Sequence, residues 1–148
     1  VKLLQEILIM SDRYYGTVYL GGKVTQEQFG KCKELLESCL DDELSDDGSG
    51  AFIECNESDL ADIVAYCKSE SIALSLHWEA SGDQGSYVEY WIGGAYKFYV
   101  ADLEGNIAVR MSDLKAHPEM TIAEFIARMD IPEFPLFEII ETPEQQPA

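Results

Sequence analysis

The densest alternation of apolar and polar positions lies between residues 72 and 111, and the rest of the chain is arranged around it. Ile72, Leu74, Leu76 and Trp78 alternate with Ala73, Ser75 and His77, the period of two that marks a half-buried strand. Three further β-rich runs follow: YVEYWI at 87–92, AYKFYVA at 95–101 and IAVRM at 107–111. Gly93-Gly94 is a two-residue hairpin signal, and Glu104-Gly105-Asn106 is a looser turn. The pattern predicts a four-stranded meander.

Upstream, YYGTVYL at 14–20 predicts a first strand and Gly21-Gly22-Lys23 a turn. Thr25 opens a helix, with Gln28 three residues on to complete a capping box. Phe29, Cys32, Leu35, Leu36, Cys39 and Leu40 then recur at helical spacing. Residues 51–55 form a short strand, and Asn56 or Ser58 caps a second helix with the apolar stripe Leu60, Ile63, Val64 and Cys67. A third helix starts at Thr121, with Glu124 at the capping-box position and Ile122, Phe125, Ile126 and Met129 on one face. Pro132 and Pro135 end it.

The order β-α-β-α-β-β-β-β-α implies an α+β fold: a mixed, mainly antiparallel sheet with helices packed mainly on one face. Helical crossovers would leave the first three strands parallel and the last four antiparallel. One domain is expected over residues 10–136, with 137–148 a frayed tail ending in the unanchored segment ETPEQQPA. Residues 1–9 read as a translated leader. Met10-Ser11-Asp12 resembles an ordinary start, and Gln5-Glu6 suits a purine-rich ribosome-binding sequence, which implies a bacterial or phage source. The rival reading is an amphipathic helix with Leu3, Leu4, Ile7 and Leu8 on its apolar face.

Composition narrows the function classes. At 148 residues and 47% hydrophobic, the chain has enough apolar content for one core, and no apolar run approaches a membrane span. A net charge of −18 repels nucleic acid and anionic lipid and attracts basic proteins, so direct nucleic-acid binding and membrane attachment are not expected. Cys32, Cys39, Cys55 and Cys67 form no C-x-x-C pair and have no His at zinc-ligand spacing. They read as buried, reduced thiols, which points to the cytoplasm, with no metal and no cofactor.

Catalytic constellations are sparse. The sequence holds no G-x-S-x-G, P-loop, G-x-G-x-x-G or H-E-x-x-H pattern. An EF-hand register starting at Asp42 puts Leu44 third and Asp47 sixth, where a ligand and a glycine are required. Ser75, His77 and Glu79 share a strand face, but alternate strand residues stand about 6–7 Å apart, too far for mutual hydrogen bonds. No catalytic residue is therefore assigned, and an enzyme ranks third among the readings.

Two surfaces remain. If Val88, Tyr90 and Ile92, with Tyr96, Phe98 and Val100, point toward the helices, the open sheet face shows Tyr87, Glu89, Trp91, Lys97 and Tyr99. Aromatic rings of this kind suit a protein interface, and a homodimer through this face is the second functional reading. The other surface is acidic. Residues 34–67 carry eleven carboxylates and no Lys or Arg. Glu37, Asp41, Asp42 and Glu43 fall at the C-terminal end of the first helix, where the macrodipole disfavours anions, and Asp46 and Asp47 follow in the next loop. The leading expectation is a non-enzymatic protein whose acidic face, Glu37, Asp41, Asp42, Glu43, Asp46 and Asp47, docks and occludes a basic, nucleic-acid-handling partner. That class includes inhibitors of DNA-mimic type and immunity proteins against nuclease toxins.

Overall fold

The first strand, β1 (Tyr14–Thr25), lies inside the sheet, flanked on both sides, in the computed structural model, which describes residues 14–80 and 85–141. Around it stand β2 (Ser49–Cys55), β3 (Ala73–Trp78), β4 (Tyr87–Ile92) and β5 (Ala95–Val100), in the order β2-β1-β3-β4-β5. A sixth strand, β6 (Phe137–Ile140), pairs parallel with Gly22–Thr25 at the far end of β1. The leader reading of residues 1–9 lies outside the described residues.

The helices on the first face are α1 (Gln26–Leu36) and α2 (Ala61–Ser69), the second preceded by a 3-10 turn at Glu57–Leu60. The first starts where its cap predicts, whereas the expected Asn56 cap starts the 3-10 turn and α2 itself begins four residues later, after Leu60, without a side-chain cap. Thr25 Oγ1 accepts from the Gln28 amide at 3.1 Å while Gln28 Oε1 accepts from the Thr25 amide at 3.0 Å. Asn56 and Asp59 form the same reciprocal box before α2. Two shorter helices, α3 (Met111–Ala116) and α4 (Ile122–Met129), come late in the chain, and α4 has the expected Thr121–Glu124 box.

The α+β class holds, with four corrections. β1 is antiparallel to both β2 and β3, where parallel pairing was expected. Loop 37–48 carries the chain back after α1, so β2 enters against β1; β2 and β3 are then parallel to each other with β1 between them. The second correction concerns Gly21 and Gly22, which continue the strand instead of turning the chain. Gly22 takes φ +89° and the backbone goes on to meet β6.

Third, residues 107–111 do not form a strand. Asp102 accepts the amides of Glu104 and Asn106, pairing extends only to the bridge between Ala101 and Ile107, and Met111 opens α3. Finally, Phe137–Ile140 is ordered as β6, where fraying was expected. Its anchor is long-range: the Phe137 ring packs 5.5 Å from Phe29 of α1 and closes on Gly48.

The main core lies between the sheet and α1 and α2. Val18, Leu20, Leu74, Leu76, Phe52 and Trp78 meet Phe29, Cys32, Leu36, Leu60, Ile63 and Cys67 there. The opposite sheet face is covered only in part. Val88, Tyr99 and Ala101 form a small second cluster with Tyr90, Ile107 and Met129. Gly30 is an exposed position inside α1 with open space where a Cβ would lie. Gly30→Ala is expected to raise stability by about 0.5–1 kcal/mol, because alanine has less backbone entropy to lose on entering a helix. A urea midpoint that fails to rise would show that α1 is not regular at this point.

Candidate functional site

The acidic block is built by the end of α1 and the loop after it. The helix stops at Leu36, and Glu37 caps it with its amide on the Glu34 carbonyl. Asp41 donates its amide to the Ala51 carbonyl, which lays the loop along β2. Leu44 turns inward and is buried, so the neighbouring carboxylates face out. The result is a concavity of about 470 Å³ lined by Glu34, Glu37, Asp41, Asp42 and Glu43 together with Lys33, Leu40 and Leu44. Four of the six sequence-predicted acidic residues thus share one hollow.

The other two sit in the adjoining turn, and not all six carboxylates are equivalent. Asp47 is held by the turn itself: its Oδ1 accepts the Ser49 amide at 3.0 Å and the Ser49 hydroxyl at 2.6 Å. Those bonds, the hydroxyl first, keep the Asp47 carboxyl below its ordinary range. Asp42 likewise takes the Glu43 amide at 2.8 Å. Among the described residues, the side chains of Glu37, Asp41, Glu43 and Asp46 have neither a hydrogen bond nor an ion pair.

The aromatic sheet face is divided by the hairpin register. Ile92 pairs with Ala95 across Gly93-Gly94, so Tyr87 faces Val100, Glu89 faces Phe98 and Trp91 faces Tyr96. Tyr87, Glu89 and Trp91 therefore lie on the helix side with Tyr96 and Phe98. Lys97 and Tyr99 lie on the other side with Val88 and Tyr90. Three of the five residues expected to form one open interface, Tyr87, Glu89 and Tyr99, are buried.

Tyr99 donates to the carbonyls of Met129 and Asp130, and Lys97 pairs with Asp130 at 3.1 Å, so this pair holds down the end of α4. Burial raises the Tyr99 phenol, and Lys97 beside it opposes the shift.

On the helix side, sequence reasoning missed a groove. Leu60, Ala61, Val64, Ala65 and Lys68 of the second helical segment face Leu76, Trp78, Glu89 and Trp91 of the sheet, with Glu57 also in the lining. It encloses about 410 Å³ and is mostly apolar. Ala61 and Ala65, one helical turn apart, are too small to cover the sheet below them. In its lining, Glu89 is only 8% exposed. Its Oε2 accepts from Trp78 Nε1 at 2.7 Å and its Oε1 from the Tyr96 hydroxyl at 2.6 Å. Burial, followed by the bond to Glu89, pushes the Tyr96 phenol well above its ordinary range.

The remaining candidates do not assemble. Ser75 and His77 share a face as the strand period requires, with His77 against Gly105, but neither bonds the other or Glu79 among the described residues. All four cysteines are buried, and none is in a disulfide among the described residues. They meet in two pairs: Cys32 and Cys67 neighbour each other between the two helices, and Cys55 Sγ donates to the Cys39 carbonyl at 3.3 Å. Cys32 beside it, followed by burial, pushes the Cys67 thiol up, while Cys67 holds the Cys32 thiol below its ordinary value. Burial, then Cys39 and Asp59 beside it, pushes the Cys55 thiol up to about 12.

Among the described residues no group of three His, Cys, Asp or Glu side chains is placed to hold a metal ion, and no helix is long and apolar enough to cross a membrane. No family model, curated protein or solved structure matches this chain.

Proposed function

We propose that the protein is a small acidic binding protein that docks on a basic, nucleic-acid-handling partner and occludes its active surface. An inhibitor of DNA-mimic type and an immunity protein against a nuclease toxin are the two forms this reading takes. One observation carries it: Glu37, Asp41, Asp42 and Glu43 gather around one hollow at the C-terminal end of α1. The helix dipole opposes anions there by about 0.3–1 kcal/mol each. Glu37, Asp41 and Glu43 also gain no hydrogen bond or ion pair through their side chains among the described residues. A cationic partner would relieve both the dipole and their mutual repulsion, and the long-range field would speed its approach.

The test separates binding charges from turn-forming ones. Glu37→Gln, Asp41→Asn, Glu43→Gln and Asp46→Asn together leave Asp42 and Asp47 in their structural bonds. This variant is expected to be as stable as the parent, or slightly more so. Protein captured from a bacterial extract on the parent and eluted by salt should be basic and should carry nuclease or nucleic-acid-binding activity that the parent inhibits. Against that purified partner, the variant should associate at least about tenfold more slowly at low salt, with a shallower salt dependence. An unchanged association rate and salt dependence would refute the reading.

A second reading, self-association, rests on different residues from those first expected. The register removes the shared Tyr/Trp face, but α4 leaves Ile122 72% and Ile126 51% exposed on one side. A mass that rises with concentration, and stays monomeric in Ile122→Asp, would favour this role as a homodimeric regulatory domain.

A further inference from the structure

We propose that the groove between α2 and the β3-β4 sheet face is a binding site for a small organic cation with an apolar body, the charged end of which is received by Glu89. The inference concerns a different part of the molecule from the acidic hollow and does not rest on the reading proposed for it.

Three observations carry it. The first is the carboxylate itself. Glu89 is more than nine-tenths removed from water, yet among the described residues only neutral donors, the Trp78 indole and the Tyr96 hydroxyl, bond to it. Each oxygen takes one hydrogen bond where it can accept two, so the group still has acceptor capacity for a charged donor. Burying a carboxylate without a counter-charge is costly, and a bound cation would offset that cost.

The second is the wall chemistry. Leu60, Val64, Leu76 and Trp91 line it with apolar surface, and tryptophan is the aromatic side chain that best attracts a cation. A volume of about 410 Å³ falls in the range of small-molecule sites, which pair apolar walls with a few placed polar groups.

The third is charge complementarity. Glu57 adds a second carboxylate to the groove's lining. Lys68 is the one cationic residue in the lining, and it forms no ion pair among the described residues. With Glu57 and Glu89 against Lys68, an entering cation meets a net negative lining and an anion is repelled by it.

The chain's two tryptophans, Trp78 and Trp91, both line this groove, so intrinsic fluorescence reports its occupation. The probe is 2-cyclohexylethylamine, charged at pH 7 and itself non-fluorescent. The comparators are 2-cyclohexylethanol, cyclohexylacetate and methylammonium. The amine is expected to shift the emission saturably and to bind at least tenfold more tightly than the alcohol. The carboxylate and methylammonium should give no saturable response, which excludes simple accumulation of cations at an acidic protein.

Glu89→Gln should bring the amine down to the level of the alcohol. Ala65→Leu fills the groove from an exposed helix position and should abolish both responses with the melting temperature unchanged. If Glu89→Gln does not fold, the four-ligand comparison and Ala65→Leu decide alone. Equal binding of amine and alcohol, no saturable response to the amine, or a response that survives Ala65→Leu would overturn the proposal.

Discussion

Trp78→Ala is expected to lower the unfolding free energy by about 3–5 kcal/mol, the cost of removing a large aromatic side chain from a packed interior. Trp78 is fully buried at the centre of a row of rings. Phe52 meets it edge-on at 4.8 Å, Tyr87 stacks at 5.9 Å, and Phe98 continues from Tyr87 at 5.1 Å. The substitution also takes away one of the two hydrogen bonds to the buried Glu89 carboxylate, leaving only Tyr96. Stranding a buried charged acceptor adds to the cavity cost, so the loss should fall at the upper end. Trp78→Phe tests the two contributions separately. It keeps most of the packing and removes only the donor, for an expected loss of about 1–3 kcal/mol. Urea denaturation of both variants measures this, and an Ala variant less than about 1.5 kcal/mol below the parent would mean that Trp78 does not anchor the core.

The elements most legible in the sequence are those defined by short-range chemistry. The boxes at Thr25–Gln28 and Thr121–Glu124 start helices because a side-chain oxygen and a backbone amide three residues apart satisfy each other locally. The alternation at Leu74, Leu76 and Trp78 marks a core face because the strand period needs no information from elsewhere. What escaped is long-range. β6 exists because Phe137 finds Phe29 and because Gly22–Thr25 offers an unpaired strand edge, and neither fact shows in residues 137–140 alone. The direction of β2 likewise depends on where loop 37–48 leads the chain.

The sheet-face assignment went astray for a reason the sequence did contain. A two-residue turn at Gly93-Gly94 pairs residue 92 with 95, so odd positions of β4 face even positions of β5. Tyr87, Glu89 and Trp91 therefore belong with Tyr96 and Phe98, and the set with Lys97 and Tyr99 cannot share a face. The acidic hollow was legible because charge density is a local property of the chain. The groove was not, since it arises where two small residues of α2, Ala61 and Ala65, pass over a strand they do not cover.

Gly16→Ala is the second substitution with a large expected effect, and it probes the same row of rings from beneath. Gly16 pairs with Phe52 on one side and Trp78 on the other, and having no side chain it lets those two rings meet above β1. A Cβ there would press into the backbone carbonyl of His77 and lie 2.6 Å from Phe52 Cζ. The carbonyl belongs to β3 in the middle of the sheet and has nowhere to retreat, while the ring is packed against Trp78. Overpacking of a tight interior costs about 1–3 kcal/mol, and a conflict with backbone should place this variant at about 3 kcal/mol. The double variant with Phe52→Leu identifies the obstacle. If the ring is what resists, the two changes will partly compensate; if the strand backbone resists, their costs will add. Additive or greater loss is the expected outcome. A Gly16→Ala protein within about 0.5 kcal/mol of the parent would show that β1 and β3 do not approach this closely, and the ring row would have to be rebuilt.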